Sequence, residues 1–196
     1  MTKNYWEGKS IRLRAIEEGD VTRIVESRNS INNENQWYYD KIMLPESEAA
    51  MKKFCDEVLA EQKKDDKYFF IIETLNGSFV GHIYVWHTQR REGVFKYGIL
   101  VDDVHKGKGY AKEALIIVLD YYFNELNYQK CNPTVYEFNT RSQAFHEKFG
   151  FVREGVLRNE VYTRGQYFSM VCYGMLKVEF GTLYGHFGEL LCKVTI

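Results

Sequence analysis

An α/β fold with a mixed, mostly antiparallel sheet is predicted by three features of this 196-residue chain. Three strand-like runs, Tyr68 to Glu73, Phe79 to Trp86 and Val94 to Val101, follow closely, with the turn signal Asn76-Gly77 between the first two, as in a meander. The third run then leads through a glycine-containing loop into a long amphipathic helix, Gly109 to Leu126, and a further strand, Thr134 to Phe138. That is a β-α-β unit, so part of the sheet is parallel. The length is that of one domain, and 45% hydrophobic with 27% charged residues is the composition of a folded globular protein.

The remaining elements read in order. Ile11, Leu13 and Ala15 alternate with Arg12 and Arg14, a strand with one buried face. Glu17 to Asp20 open a helix in which Asp20 is placed as cap and Val21, Ile24 and Val25 form the apolar stripe. A polar, aromatic-marked loop, Asn29 to Asp40, precedes a second helix, Glu46 to Lys64. Pro45 suits its first turn, and Met51, Phe54, Cys55, Val58 and Leu59 supply its buried side. In the long helix Ala111, Ala114, Leu115, Val118 and Tyr122 point inward. A short helix, Arg141 to Phe149, ends at Gly150, and two strands, Val152 to Tyr162 and Tyr167 to Val178, meet at a turn on Arg164-Gly165. Residues 1–180 are expected to form one domain. The extension 181–196, with Leu183, Phe187, Leu190, Leu191, Val194 and Ile196, is too apolar for a free tail, so it should dock as an added strand or at a subunit contact.

Charge and cysteine usage narrow the function classes. With 26 Lys+Arg against 27 Asp+Glu the net charge is -1, which lacks the basic field of a nucleic-acid binder. No run approaches the roughly 20 apolar residues of a membrane span, and the start MTKNYWEGKS lacks a secretory apolar segment, so a cytoplasmic protein without membrane or nucleic-acid partners is expected. Cys55, Cys131, Cys172 and Cys192 are widely separated with no CxxC pair, which suggests neither a metal site nor a disulfide framework.

The chemistry concentrates in Val101-Asp102-Asp103-Val104-His105-Lys106-Gly107-Lys108-Gly109-Tyr110-Ala111, between a strand and a helix. Alternating glycines let the backbone approach a ligand, and free N–H groups at a helix start point at phosphate or pyrophosphate, with Lys106 and Lys108 adding positive charge. A plain glycine turn with solvated lysines has the same letters. Lys112 stands where a dinucleotide fingerprint needs glycine, and no GxxxxGK[ST] run exists, so neither NAD nor a P-loop fits.

Lys106-Gly107-Lys108-Gly109-Tyr110-Ala111 resembles the (Arg/Gln)-x-x-Gly-x-(Gly/Ala) motif of the GNAT N-acetyltransferases, with Lys106 in place of Arg or Gln. Val135-Tyr136-Glu137-Phe138-Asn139, Ser142, Phe145 and Lys148-Phe149-Gly150-Phe151 are similar to the second half of that family's cofactor region. The element order fits from about Ile11 to Phe180. Gly107 to Ala114 and Glu154-Gly155-Val156-Leu157-Arg158 are most similar to the branch of ribosomal-protein N-terminal and spermidine acetyltransferases.

The resemblance implies acetyl-CoA as co-substrate, no metal, and acetyl transfer to a primary amine, a peptide N-terminus or small amine, by direct attack. Its cofactor residues would be the backbone of Leu100 and Val101, the loop Lys106, Gly107, Lys108, Gly109, Tyr110 and Ala111, and Asn139 with Ser142. Thr140 and Gln143 have capping-box spacing, which would leave Asn139 free for the pantetheine arm. His146 stands where the family often has a Tyr that protonates the departing thiolate, although a histidine on a short helix is also an ordinary packing residue. Because an alkyl ammonium must lose a proton first, Glu137 is the candidate base, with a cross-strand ion pair as its structural alternative and Glu92, His82 and Tyr97 in reserve. The resemblance places the acceptor cleft at Trp37 to Asp40 and Tyr162 to Tyr167. Glu34, Asp40, Glu46 and Glu48 would serve a polycation such as spermidine, the alternative acceptor. A homodimer is possible, and a non-catalytic CoA-binding or polyamine-sensing module is the rival reading.

Overall fold

The computed structural model describes residues 4–30, 40–42, 44, 47–61 and 65–191. Glu34, Trp37 to Tyr39, Pro45, Glu46, Cys192, Val194 and Ile196 lie outside the described residues. The chain divides into two compact units, one of Met1–Ile16, Gln62–Cys131 and Leu176–Ile196, the other of Glu17–Glu61 and Asn132–Met175.

In the first unit, strands β1 (Ile11–Ala15), β2 (Phe69–Thr74), β3 (Phe79–Gln89) and β4 (Val94–Val101) pair antiparallel in that order. The short strand β5 (Lys130–Cys131) then joins β4 in parallel, Val94 opposite Lys130 and Phe95 opposite Cys131. Helix α3 (Tyr110–Asp120) makes the crossover and packs on one sheet face, where Ala114, Leu115 and Val118 are buried as their spacing requires. Tyr122 stacks on Phe95 with ring centroids 4.5 Å apart, which places Phe95, Tyr97 and Ile99 of β4 on the α3 face.

The long helix does not run unbroken to Leu126. Tyr121–Glu125 widen into a single π-type turn, and the Leu126 N–H donates to the Tyr121 carbonyl at 3.1 Å. The wider turn lets consecutive aromatics both find partners, Tyr121 against Trp6 at 4.9 Å and Tyr122 against Phe95. The C-terminal segment also departs from expectation. It forms helix α5 (Lys177–Leu191) rather than a strand, begins at the end of the preceding strand, and packs on α3. Phe180 lies 5.4 Å from Phe123, and the Lys112 ammonium sits 5.4 Å over the Tyr184 ring.

In the second unit, α1 (Val21–Ser30) follows a 3-10 turn, Glu18–Asp20, fastened by the Glu17 N–H donating to Asp20 at 2.9 Å. It packs with α2 (Glu48–Glu61), whose Met51 and Cys55 are buried, whereas Phe54 is exposed, against expectation. The strand β6 (Thr134–Tyr136) is followed by α4 (Thr140–Phe149), β7 (Val152–Thr163) and β8 (Gln166–Leu176). Strand β8 is antiparallel to both β6 and β7. No described helix is long and apolar enough to cross a membrane.

Candidate functional site

Each unit carries its own group of the residues singled out by sequence. In the first, a 3-10 turn at Asp103–His105 ends β4 and leads to Gly107 and Gly109, whose φ values of +80° and +85° are those of the left-handed region that favours glycine. Gly109 caps α3, and its carbonyl accepts the Glu113 N–H at 3.1 Å. Among the described residues the N–H groups of Lys108, Gly109, Tyr110 and Ala111 have no acceptor, and a Cβ at Gly107 or Gly109 would meet open space. Four donors at a helix start, with room in front of them, suit a pyrophosphate. Lys108 is exposed, while Lys106 is ion-paired with Asp103, so its charge is partly neutralised.

The two backbone donors expected at the end of β4 are not equivalent. The Asp102 N–H donates to the Val80 carbonyl at 2.9 Å, and across β3 the Val85 N–H donates to Tyr68 at 2.9 Å. Strand alternation and the pairing of His82 with Leu100 then direct the Leu100 N–H into β3. The Val101 N–H points to the other edge of β4, where β5 pairs only with Val94 and Phe95 among the described residues. Val101 keeps the role open; Leu100 has its donor engaged.

Two strand glycines that sequence reasoning passed over shape this edge. At Gly81 a Cβ would collide with the Leu100 carbonyl oxygen, and at Gly98 it would lie 2.6 Å from the Tyr84 ring. Glycine inside a strand pattern was the available signal. Of the reserve residues, Tyr97 is buried, and burial pushes its hydroxyl well above the ordinary range, so it stays protonated. His82 is buried with its ring 5.0 Å from Phe69, and Glu92 lies exposed in the turn before β4.

The second unit corrects two expectations. Asn139, not Thr140, caps α4: its side-chain oxygen accepts the Ser142 N–H at 2.9 Å. The box on Thr140 does not form, because the Thr140 N–H donates to the Phe138 carbonyl at 3.0 Å, while the Gln143 amide donates to the Glu137 carbonyl at 2.8 Å. β6 stops at Tyr136, where the Asn139 N–H turns back to the Tyr136 carbonyl at 2.9 Å. Strand alternation therefore does not extend to Glu137 and Asn139, and the expected strand Thr134 to Phe138 is two residues shorter. Glu137 is exposed, its N–H bonded to the Ser169 carbonyl at 3.0 Å, and it has no ion pair among the described residues.

His146 lies 5% exposed among rings, stacked 5.3 Å from Tyr173 and edge-on to Phe151 at 5.2 Å. Its Nδ1 is 2.7 Å from the Ser142 carbonyl, which assigns the proton to Nδ1. Burial lowers its pKa, and the Ser142 bond only partly opposes this, so the ring is neutral at physiological pH. A neutral ring with its one N–H given to a carbonyl has no proton ready for a thiolate. These are the surroundings of a packing residue.

At the β7–β8 turn the Arg164 guanidinium lies 4.8 Å over the Phe138 ring and donates to the Asp40 carbonyl at 2.9 Å. Tyr162 and Tyr167 are exposed and pair edge to face at 4.9 Å.

Comparison with known proteins gives these observations a context. The Acetyltransferase (GNAT) domain family matches residues 10–152. An uncharacterized SPbeta prophage-derived N-acetyltransferase of Bacillus subtilis, YokL, is 37% identical over 185 residues, covering 94% of this chain and all of that protein. The spermidine N(1)-acetyltransferase of Vibrio cholerae is 27% identical over 158 residues, 80% of this chain and 87% of that one. In structure, a spermidine N-acetyltransferase of Vibrio cholerae, crystallised with CoA and spermine, superimposes with a TM-score of 0.77 at 24% identity, covering 88% of this chain and 99% of the other.

Proposed function

This chain belongs to the GNAT acetyltransferase family, an N-acetyltransferase with acetyl-CoA as its co-substrate, and from that premise we propose that it acetylates a small primary amine or peptide N-terminus by direct attack in a ternary complex. The observation that carries the cofactor assignment is the row of N–H groups from Lys108 to Ala111, without an acceptor among the described residues, behind two glycines with open space over them. These donors hold the pyrophosphate of CoA, helped by the positive end of α3 and by Lys108.

The remaining roles follow from the chemistry of the step. An acceptor nitrogen, as free amine, attacks the acetyl carbonyl carbon; the C–N bond forms, the C–S bond breaks, and CoA departs as thiolate. Negative charge on the carbonyl oxygen is met by the Val101 N–H, which β3 does not use. Glu137, exposed and without an ion pair among the described residues, takes the proton of the acceptor ammonium before attack, and the second N–H proton, lost as the tetrahedral intermediate collapses, goes to the departing thiolate. Asn139 orders α4 as its cap and can still meet the pantetheine arm; Ser142 contributes chiefly the N–H that Asn139 holds. His146 is assigned to packing, and no proton donor is required of it.

Thiol release from acetyl-CoA, followed across peptides, polyamines and aminoglycosides, tests this reading. Amine-dependent release is expected. Tight acetyl-CoA binding with no release for any amine would favour the rival, a module that holds CoA without turnover.

A further inference from the structure

The sheet face of the first unit that faces away from α3 carries an unbroken aromatic strip. On β3, His82, Tyr84 and Trp86 alternate with Ile83 and Val85, which pair with Ile99 and Tyr97 on the α3 face. The strip therefore lies opposite α3. Phe69 stacks on His82 at 5.0 Å and on Tyr84 at 5.8 Å, and Tyr84 stacks on Trp86 at 4.8 Å with planes 25° apart. Phe69 is 6% exposed, Tyr84 is 36% exposed and Trp86 is half-buried. The part of the strip open to solvent is thus the Tyr84 ring and part of Trp86.

Two further observations tie that end to the reaction edge and to one kind of occupant. Tyr84 lies across Gly98 of β4, so the outer part of its ring covers the strand whose Val101 N–H faces the open edge, three residues or about 10 Å further on. Charge on this face runs against a polycation. Lys96 pairs with Trp86, and the one acidic strand residue of the face, Glu73, is already bridged by Arg12 and Arg14. No carboxylate among the described strand residues of this face is left to receive a second ammonium.

We propose that Tyr84 and Trp86 select the acceptor, and that it is an amine bearing an aromatic or branched apolar group within about 10 Å of the reacting nitrogen rather than a polyamine. The inference rests on the amine-acetylation reading. Aromatic rings stack on this strip in the offset geometry it already uses, while Lys96 and the residual positive charge of the Arg12–Glu73–Arg14 group oppose an extended polycation. Gly98 is the positioning residue: any side chain there lifts Tyr84 off the strand.

The experiment compares kcat/KM for the peptides Ala-Phe-Ala and Ala-Lys-Ala and for spermidine, using the full chain, Trp86→Ala, Trp86→Phe and Gly98→Ala, with acetyl-CoA affinity measured by calorimetry. The wild type is expected to prefer Ala-Phe-Ala by on the order of tenfold. Trp86→Ala should erase the preference through KM, with kcat and acetyl-CoA affinity held, and Trp86→Phe should restore most of it. Gly98→Ala should weaken it. Spermidine turned over as well as Ala-Phe-Ala, or a preference that survives Trp86→Ala, overturns the proposal. Failure of the underlying reading looks different: no release from acetyl-CoA with any amine, which removes both.

Discussion

Replacing Gly109 by valine probes the loop proposed to hold the cofactor, at the point where two structural facts separate folding from binding. The residue has φ +85°, so any L side chain there is strained, by about 1–3 kcal/mol. Its would-be Cβ meets nothing within 4 Å, so no packing is broken. For a chain of this size that strain lowers the melting temperature by roughly 2–12 °C and leaves the protein folded. Binding should suffer more. The branched side chain occupies the space in front of the Gly109, Tyr110 and Ala111 N–H groups, and losing two hydrogen bonds to a charged pyrophosphate, at about 1.5–3 kcal/mol each, weakens acetyl-CoA binding by roughly 10²–10⁴-fold. Gly109→Ala, which adds the strain without the branch, should melt similarly and bind better than the valine variant. Calorimetric titration beside a thermal melt reads both quantities. A folded Gly109→Val protein with wild-type affinity would refute the assignment of the pyrophosphate to this loop.

Three other outcomes are expected. Val101→Pro removes an N–H that β3 does not use and should lower kcat by roughly 10²–10³-fold in a folded protein, whereas Leu100→Pro removes a sheet hydrogen bond and should lower stability instead; kcat and melting temperature measured on both variants check the pair. His146 has a lowered pKa in the fold, so the unfolded chain binds its proton more readily: the stability it contributes is complete above about pH 6.5 and declines as pH falls toward the folded value, by up to about 1.4 kcal/mol per unit. His146→Phe should remove that slope in denaturant titrations while leaving the pH–rate profile of turnover unchanged; loss of a limb of that profile would return the ring to catalysis. For Glu73, burial pushes the carboxyl up, but hydrogen bonds from Arg14 and Arg12 and their charge outweigh it, so its pKa is lowered. Its stabilisation is then present above about pH 4.5 and lost below, and Glu73→Gln should flatten the acid limb of the stability curve.

Local spacing determined the parts of this protein in which neighbours along the chain decide the outcome. The alternation in Ile11 to Ala15, the run Val94 to Val101 and the glycines at 107 and 109 each identify an element or a backbone conformation by short-range sterics, and the strands and loop lie where that reasoning puts them. The family was legible for the same reason, since the motif that carries the resemblance needs only glycines before a helix start. Tertiary contacts decided the rest. Thr140 and Gln143 have capping-box spacing, yet Ser169 holds the Glu137 N–H and the Glu137 carbonyl takes the Gln143 amide, so Asn139 becomes the cap. Leu100 and Val101 are adjacent and chemically alike; only the partner strand tells which N–H is already bonded and which faces the open edge. His146 reads in sequence as a proton donor or a packing residue, and Tyr173, 27 residues along the chain, joins the nearby Phe151 in excluding the water that would keep it charged. Spacing along a chain reports which groups are near one another locally, whereas a hydrogen-bond donor's availability and a ring's protonation depend on what distant segments place against them.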